Sequence, residues 1–140
     1  MDGLVAPLRT PPRRIRQYKR ERSPVRGKRQ GAVSGIARKT VAAMAARWNT
    51  RPEDLLAAIG PGIGPCCFEV GPEVAVQFGE PAQRTRIDLP DAVRRHLLTA
   101  GLDPTRIETA GLCTACLAGE FHSYRRDREK AGRMISFIGV

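Results

Sequence analysis

Several things are missing or scarce in this 140-residue chain. No histidine occurs before His96 and no cysteine before Cys66, so the first 65 residues offer neither imidazole nor thiolate to a metal. Aromatic residues amount to 5%, too few for the stacking platforms that hold single-stranded nucleic acid. The longest apolar runs, Val41–Ala46 and Leu55–Ile59, fall far short of a bilayer and argue against an integral membrane protein. Acidic residues are also few: 14 Asp and Glu stand against 24 Lys and Arg, a formal net charge of +10. What is present is 41% hydrophobic and 27% charged, which excludes wholesale disorder and suits one domain with its own core.

The excess charge is not spread evenly. Residues 1–30 carry ten Lys and Arg against Asp2 and Glu21, a net of +8, whereas residues 31–140 carry only +2. The first segment also holds Pro7, Pro11, Pro12 and Pro24 and has no sustained period of 2 or 3.6. It cannot bury enough surface to offset its ordering entropy, so a disordered leader with a boundary near Gly31 is expected. A phosphate-binding arm for nucleic acid and an Arg-rich targeting peptide are the less favoured readings of the same composition.

Beyond Gly31, Val33, Ile36, Ala37, Val41, Met44, Ala45 and Trp48 recur at helical spacing and predict one amphipathic helix over Ala32–Trp48. Leu55–Ile59 reads as a buried strand, and Cys66–Val70 as a second strand leading into a helix from Pro72 to about Phe78. Between the two strands, Gly60–Pro65 has three glycines and two prolines in six residues and must be a loop. A further helix follows Asp91 and closes at Gly101; Arg106–Thr109 and Arg133–Val140 read as strands. Helices interleaved with short strands define a mixed α/β or α+β class.

The candidate chemistry sits in four cysteines, Cys66, Cys67, Cys113 and Cys116, in His96 and His122, and in the pair Arg125-Arg126. Small buried thiols in a reducing, cytoplasmic setting are the leading reading of the cysteines. A zinc site made from Cys113, Cys116 and His122 is the alternative. Cys66 and Cys67 are left out of it, because neighbouring side chains on a strand point apart. His96 reads as a surface or half-buried helix histidine and not as a catalytic one. Two adjacent guanidinium forks match phosphate or carboxylate geometry, but on composition alone a solvated charged turn is the leading reading. The Gly60–Pro65 loop matches neither a P-loop nor a dinucleotide fingerprint; its content is a rigid turn with close backbone approach at Gly60, Gly62 and Gly64.

Three separated motifs carry a family resemblance. Ile59-Gly-Pro-Gly-Ile-Gly-Pro-Cys-Cys-Phe-Glu-Val-Gly-Pro-Glu-Val74 resembles the "IGP-x-IG-P-x-x-[FY]-EVG-x-EV" stretch of the YfiH family, the laccase-domain proteins regarded as purine nucleoside phosphorylases. Leu112-Cys-Thr114, Phe121-His-Ser-Tyr-Arg-Arg-Asp127 and Gly132-Arg-Met134 resemble its "CT…FFSYRRD…TGRM" ending, with His122 in place of Phe and Ala131 in place of Thr. Gly31-Ala-Val-Ser-Gly-Ile36 resembles the segment after the family's "HAGWRG" motif.

The resemblance implies a four-layer α-β-β-α sandwich, of which this chain supplies a part. It implies phosphorolysis of adenosine, inosine and methylthioadenosine, with adenosine deamination also attributed to the family. Purine nucleoside and phosphate are then the partners, with no membrane and no nucleic acid expected. It also implies a zinc or copper centre held by two histidines and a cysteine in "VHG", "TADC" and "HAGWRG". None of these ligands has a counterpart: the place of the second histidine falls at Arg26. The chain is therefore expected to be a truncated or frame-disrupted member that binds no such metal, is impaired in activity and is marginally stable. Gly60, Gly62, Gly64, Arg125 and Arg126 are the candidate substrate- or anion-binding residues, and no catalytic residue is assigned.

Overall fold

The computed structural model describes residues 28–136. The expectations for the leader, for Arg26 and for residues 137–140 lie outside them. Up to Met134 the described residues belong to one compact unit, mixed in helix and strand, so the class is α+β. Helix α1 spans Lys28–Val33. Helices α2 (Ile36–Trp48), α3 (Pro72–Ala75), α4 (Leu89–Thr99) and α5 (Tyr124–Asp127) follow in order. The strands are β1 (Ala57–Ile59), β2 (Glu69–Val70), β3 (Thr85–Arg86) and β4 (Ile107–Thr109).

The single helix expected over Ala32–Trp48 is two helices. Gly35 has φ 67 and ψ 39, a left-handed residue that breaks the run, and its amide bonds back to the Ala32 carbonyl at 3.2 Å. Only glycine adopts that conformation cheaply, and the Ser34-Gly35 dipeptide is the turn signal that periodicity overrode. α2 ends at Asn49, also left-handed at φ 51, a conformation asparagine tolerates better than most residues.

α4 begins one turn earlier than the sequence suggests. Asp88 is its cap, the carboxylate accepting from the Asp91 amide at 2.9 Å, with Pro90 in the first turn. Its C-terminus closes as expected at Gly101, which has φ 97. The Leu102 amide reaches the Leu97 carbonyl at 3.2 Å and the Gly101 amide reaches that of Leu98 at 3.0 Å, the pattern of a Schellman motif. Leu102 and Leu97 meet in the same core, as that motif favours.

Two sheets of two strands each organise the described residues. β1 pairs in parallel with β4, Ala57 opposite Ile107 and Ile59 opposite Thr109. A parallel pair needs a long crossover, and α4 supplies its helix, contacting both strands and α2. Val41, Leu97, Leu102 and Ile107 form the core beneath that sheet, with Leu55, Ile59 and Val93 packed against it. β2 pairs antiparallel with β3, and Phe68, Val70, Val74, Ala75 and Ile87 form a second core around it. Each two-stranded sheet leaves outer edges, and Leu56, Val76 and Leu112 are exposed large apolar side chains.

Two expected strands are corrected. Residues 65–67 form a turn, so the strand expected over Cys66–Val70 shrinks to Glu69–Val70. The strand expected over Arg133–Val140 is absent among its described residues, 133–136. No helix among the described residues is long and apolar enough to cross a membrane.

Gly101→Ala is expected to destabilise the chain by about 1–2 kcal/mol, because a side chain there sits at positive φ and meets Pro52 Cβ at 3.3 Å. Leu97→Ala, which empties part of the first core, is expected to cost about 2–5 kcal/mol. Urea unfolding of the two variants checks both the sizes and their order.

Candidate functional site

The parallel ladder does not end with the strands. Ala110 donates its amide to the Ile59 carbonyl at 2.9 Å, Gly62 donates to Leu112 at 3.2 Å, and Thr114 donates to Gly62 at 2.9 Å. Gly62 and Cys113 form an isolated parallel bridge, so the Gly-Pro loop is laced to the Cys113–Cys116 segment. Gly64 follows, and there the backbone approach is close: a Cβ on Gly64 would lie 3.3 Å from Cys113 Cβ and 3.4 Å from Cys66 Sγ. At Gly60 and Gly62 the same test meets nothing within 4 Å, so the close approach expected at all three glycines holds only at Gly64.

Pro65 then turns the chain. The amides of Cys67 and Phe68 both bond to the Gly64 carbonyl at 3.0 Å, a tight turn with proline at its second position. That turn undoes the expectation that Cys66 and Cys67 point apart. The Sγ atoms of Cys66, Cys67, Cys113 and Cys116 all lie within 4.8 Å of one another. Cys116 Sγ is 3.5 Å from Cys66 Sγ and 3.4 Å from Cys67 Sγ. Nor are these buried core thiols: Cys66 and Cys116 are exposed, and the other two are half-buried.

The four thiols are electrostatically unequal. Burial opposes ionisation of Cys113, but the amides of Gly64, Cys116 and Ala115 and the Cys66 thiol outweigh it and bring its pKa to about 6. Gly64 makes its contribution from 3.3 Å. Cys116 is pushed up to about 12 by hydrogen bonding to Cys67, Cys66 and Cys113. His122 is no member of this cluster; its ring lies against the backbone of Gly132, where any Cβ would strike it.

Arg126 braces the second cysteine turn. Its guanidinium grips the Asp127 carboxylate at 2.7 Å with two nitrogens. Nη1 donates to the Thr114 and Ala115 carbonyls at 3.0 and 3.1 Å, and Nη2 to the Phe121 carbonyl at 2.9 Å. Those contacts occupy the whole fork, so the structure gives Arg126 a positioning task inside the chain. Arg125 is exposed, donates to the Glu69 carbonyl at 3.1 Å and lies 5.3 Å over the Phe68 ring. His96 is half-buried on α4 as expected; it lines a separate cleft of about 200 Å³ with Gln77, Phe78 and Arg95.

Cys66 and Cys67 belong to the cluster although strand geometry would part them. The available signal was Gly64-Pro65, which favours a turn over a strand at that point.

Residues 27–140 match the family described as multi-copper polyphenol oxidoreductase laccase. The chain is 38% identical over 124 residues to the purine nucleoside phosphorylase YlmD of Geobacillus stearothermophilus, covering 79% of this chain and 45% of that protein. It is 34% identical over 124 residues to the purine nucleoside phosphorylase LACC1 of Homo sapiens, covering 79% of this chain and 29% of that one. The crystal structure of YlmD from Geobacillus stearothermophilus aligns with a TM-score of 0.71 at 33% identity, over 76% of this chain and 44% of that chain. The crystal structure of the Bacillus licheniformis hypothetical protein YfiH gives 0.69 at 32% identity, over 73% and 43%. This chain belongs to that laccase-domain family, whose curated relatives include proteins named as purine nucleoside phosphorylases. It spans less than half the length of the relatives it matches.

The residues present do not fit the histidine–cysteine–histidine metal centre that the resemblance implies. No histidine precedes His96, and the metal-capable group among the described residues is made of sulfur alone.

The Arg126 fork holds the Asp127 carboxyl below the usual carboxylate range, against the opposing effect of burial and with help from the Ser123 amide. A depressed folded-state pKa stabilises above the unfolded value of about 4, and that gain is lost as pH falls through the lower folded value. Asp127→Asn is therefore expected to melt earlier than the parent at pH 7 and to lose part of the decline below pH about 4. Arg126→Lys, which keeps the charge but not the fork, is expected to melt earlier too. Thermal melts across that pH range provide the check.

Proposed function

We propose that this chain acts in purine nucleoside phosphorolysis, with adenosine, inosine and methylthioadenosine as substrates, and that it does so weakly by itself. One observation carries the reading: the match over residues 27–140 to a family whose relatives are named for that activity. In the reaction a phosphate oxygen attacks C1′ of the ribose, the glycosidic C–N bond breaks, and the base leaves carrying a proton. The site must hold the phosphate against the sugar and protonate the leaving base.

Arg125 is exposed and held at one end by the Glu69 carbonyl and the Phe68 ring, which suits it to meet a phosphate oxygen. Gly60 and Gly62 leave open space on their Cβ side, so substrate can approach that backbone; Gly64 serves by turning the loop. Arg126 contributes indirectly, by fixing the segment that lies beside this loop. Adenosine deamination joins the activities proposed, and a reducing, cytoplasmic setting suits four free thiols.

Weak activity is expected of this chain by itself because its own residues do not make up a histidine–cysteine–histidine set, and a Lewis acid typically supplies several kcal/mol of transition-state stabilisation. Chromatography of inosine or adenosine incubated with the full chain and phosphate tests this. Phosphate-dependent release of the free base is expected, at roughly 100-fold or more below the rate of the Geobacillus relative. Arg125→Ala is expected to slow it further while lowering the melting temperature only slightly, since the lost contacts to the Glu69 carbonyl and the Phe68 ring are exposed. No release, or release independent of phosphate, would overturn the activity; a rate equal to the relative's would overturn the impairment.

The net charge of +8 on residues 1–30 favours one other reading, a non-catalytic domain with a basic nucleic-acid-binding arm. DNA binding that weakens steeply with salt, without nucleoside cleavage, would select it.

A further inference from the structure

We propose that Cys66, Cys67, Cys113 and Cys116 form a tetrathiolate zinc site that staples the Gly-Pro loop to the segment before α5. The proposal stands apart from the phosphorolysis reading and from any histidine-containing centre, because every donor in it is sulfur.

Geometry is the first support. Four thiolates around zinc at about 2.3 Å stand roughly 3.8 Å apart along the edges of a tetrahedron. All four Sγ atoms here already lie within 4.8 Å of one another. Cys116 Sγ sits 3.5 and 3.4 Å from its two neighbours. Admitting the ion requires those two contacts to open by a few tenths of an ångström, which side-chain rotation of exposed cysteines supplies.

The shape of the cluster also distinguishes a metal from a disulfide. Cys116 is nearly equidistant from Cys66 and Cys67, and it can bond covalently to only one of them. Four sulfurs gathered within 4.8 Å of one another match the donor number of a tetrahedral ion.

Around the sulfurs, the backbone is arranged as thiolate ligands require. The Gly64 amide points at Cys113 Sγ from 3.3 Å. Cys113-x-x-Cys116 is itself a tight turn, with the Leu117 amide bonded to the Cys113 carbonyl at 3.1 Å. Arg126 locks that turn from outside through the Thr114 and Ala115 carbonyls. Outer hydrogen bonds of this kind orient ligands and strengthen metal binding.

A staple is useful at this place. Among the described residues, backbone pairing between the two loops beyond the strands is the single bridge of Gly62 with Cys113. The ligands come from turns separated by about fifty residues, so an ion between them closes a long loop. Cys66 and Cys116 are exposed, which leaves the ion a way in. Sulfur-only tetrahedral donors select zinc, with iron the main competitor.

Full-length chain, expressed with zinc and desalted anaerobically without chelator, is expected to carry one zinc per chain by elemental analysis. Its four thiols should resist a disulfide reagent until a mercurial displaces the ion, and Co²⁺ exchange should give the thiolate charge-transfer and intense visible bands of tetrahedral sulfur coordination. Cys116→Ser is expected to weaken zinc affinity at least about 100-fold. Cys116→His, which restores a zinc ligand, should keep the metal.

Because the wild-type readouts need no variant, a misfolded Cys116→Ser protein would not shield the proposal. Metal-free wild-type protein with four titratable thiols would overturn it, and so would a Cys116 disulfide in anaerobically prepared protein. One iron per chain, or unchanged zinc binding in Cys116→Ser, would do the same. Phosphorolysis can succeed or fail independently of each of these outcomes.

Discussion

Ala57, Ala58 and Ile59 run parallel to Ile107, Glu108 and Thr109, and the pairing continues beyond both strands through Gly62 and Cys113. Most of what distinguishes this chain depends on that continuation. A parallel pair fixes direction as well as distance, so the residues that follow each strand must emerge side by side at the same end. Here they are the Gly-Pro loop with Cys66 and Cys67, and the turn from Cys113 to Cys116. Bringing them together costs a long loop closure, which α4 and the core around Val41, Leu97, Leu102 and Ile107 offset.

The second support is Arg126. A guanidinium can satisfy a carboxylate and several carbonyls at once because its donors diverge in a plane, and here they reach Asp127, Thr114, Ala115 and Phe121. The short α5 and the cysteine turn are thus held as one piece despite having little regular structure between them. Its neighbour Arg125 points elsewhere, to Glu69 and Phe68, and stays exposed. Two adjacent arginines of identical composition therefore perform unlike tasks.

Much of the fold was legible in the chain. The apolar spacing of α2 and α4, the closing Gly101, the strand before Gly60 and the strand ending at Thr109 all follow from local periodicity and turn chemistry. The breaks were less visible. Ser34-Gly35 interrupts a helical pattern without erasing its period, because the apolar residues on either side keep their spacing in the sequence. Residues 66–70 read as a strand because four of the five are apolar, yet the turn that Pro65 starts runs on through Cys67. In the site the charge pattern of Arg125-Arg126 was legible as a pair of forks, but nothing local divides their labour.

Sequence by itself determined the class, the family motifs and their order, the uneven charge, and the absence of any histidine before His96. Those are properties of residue type and spacing, which local physics reads directly. Only the tertiary structure decided which thiols meet. Cys66 and Cys116 lie fifty positions apart, and their sulfurs approach to 3.5 Å because a parallel ladder, a side-chain-free Gly64 and one proline turn act together. Each of those elements is local, but their sum is not, since register between distant strands is set by the core they share.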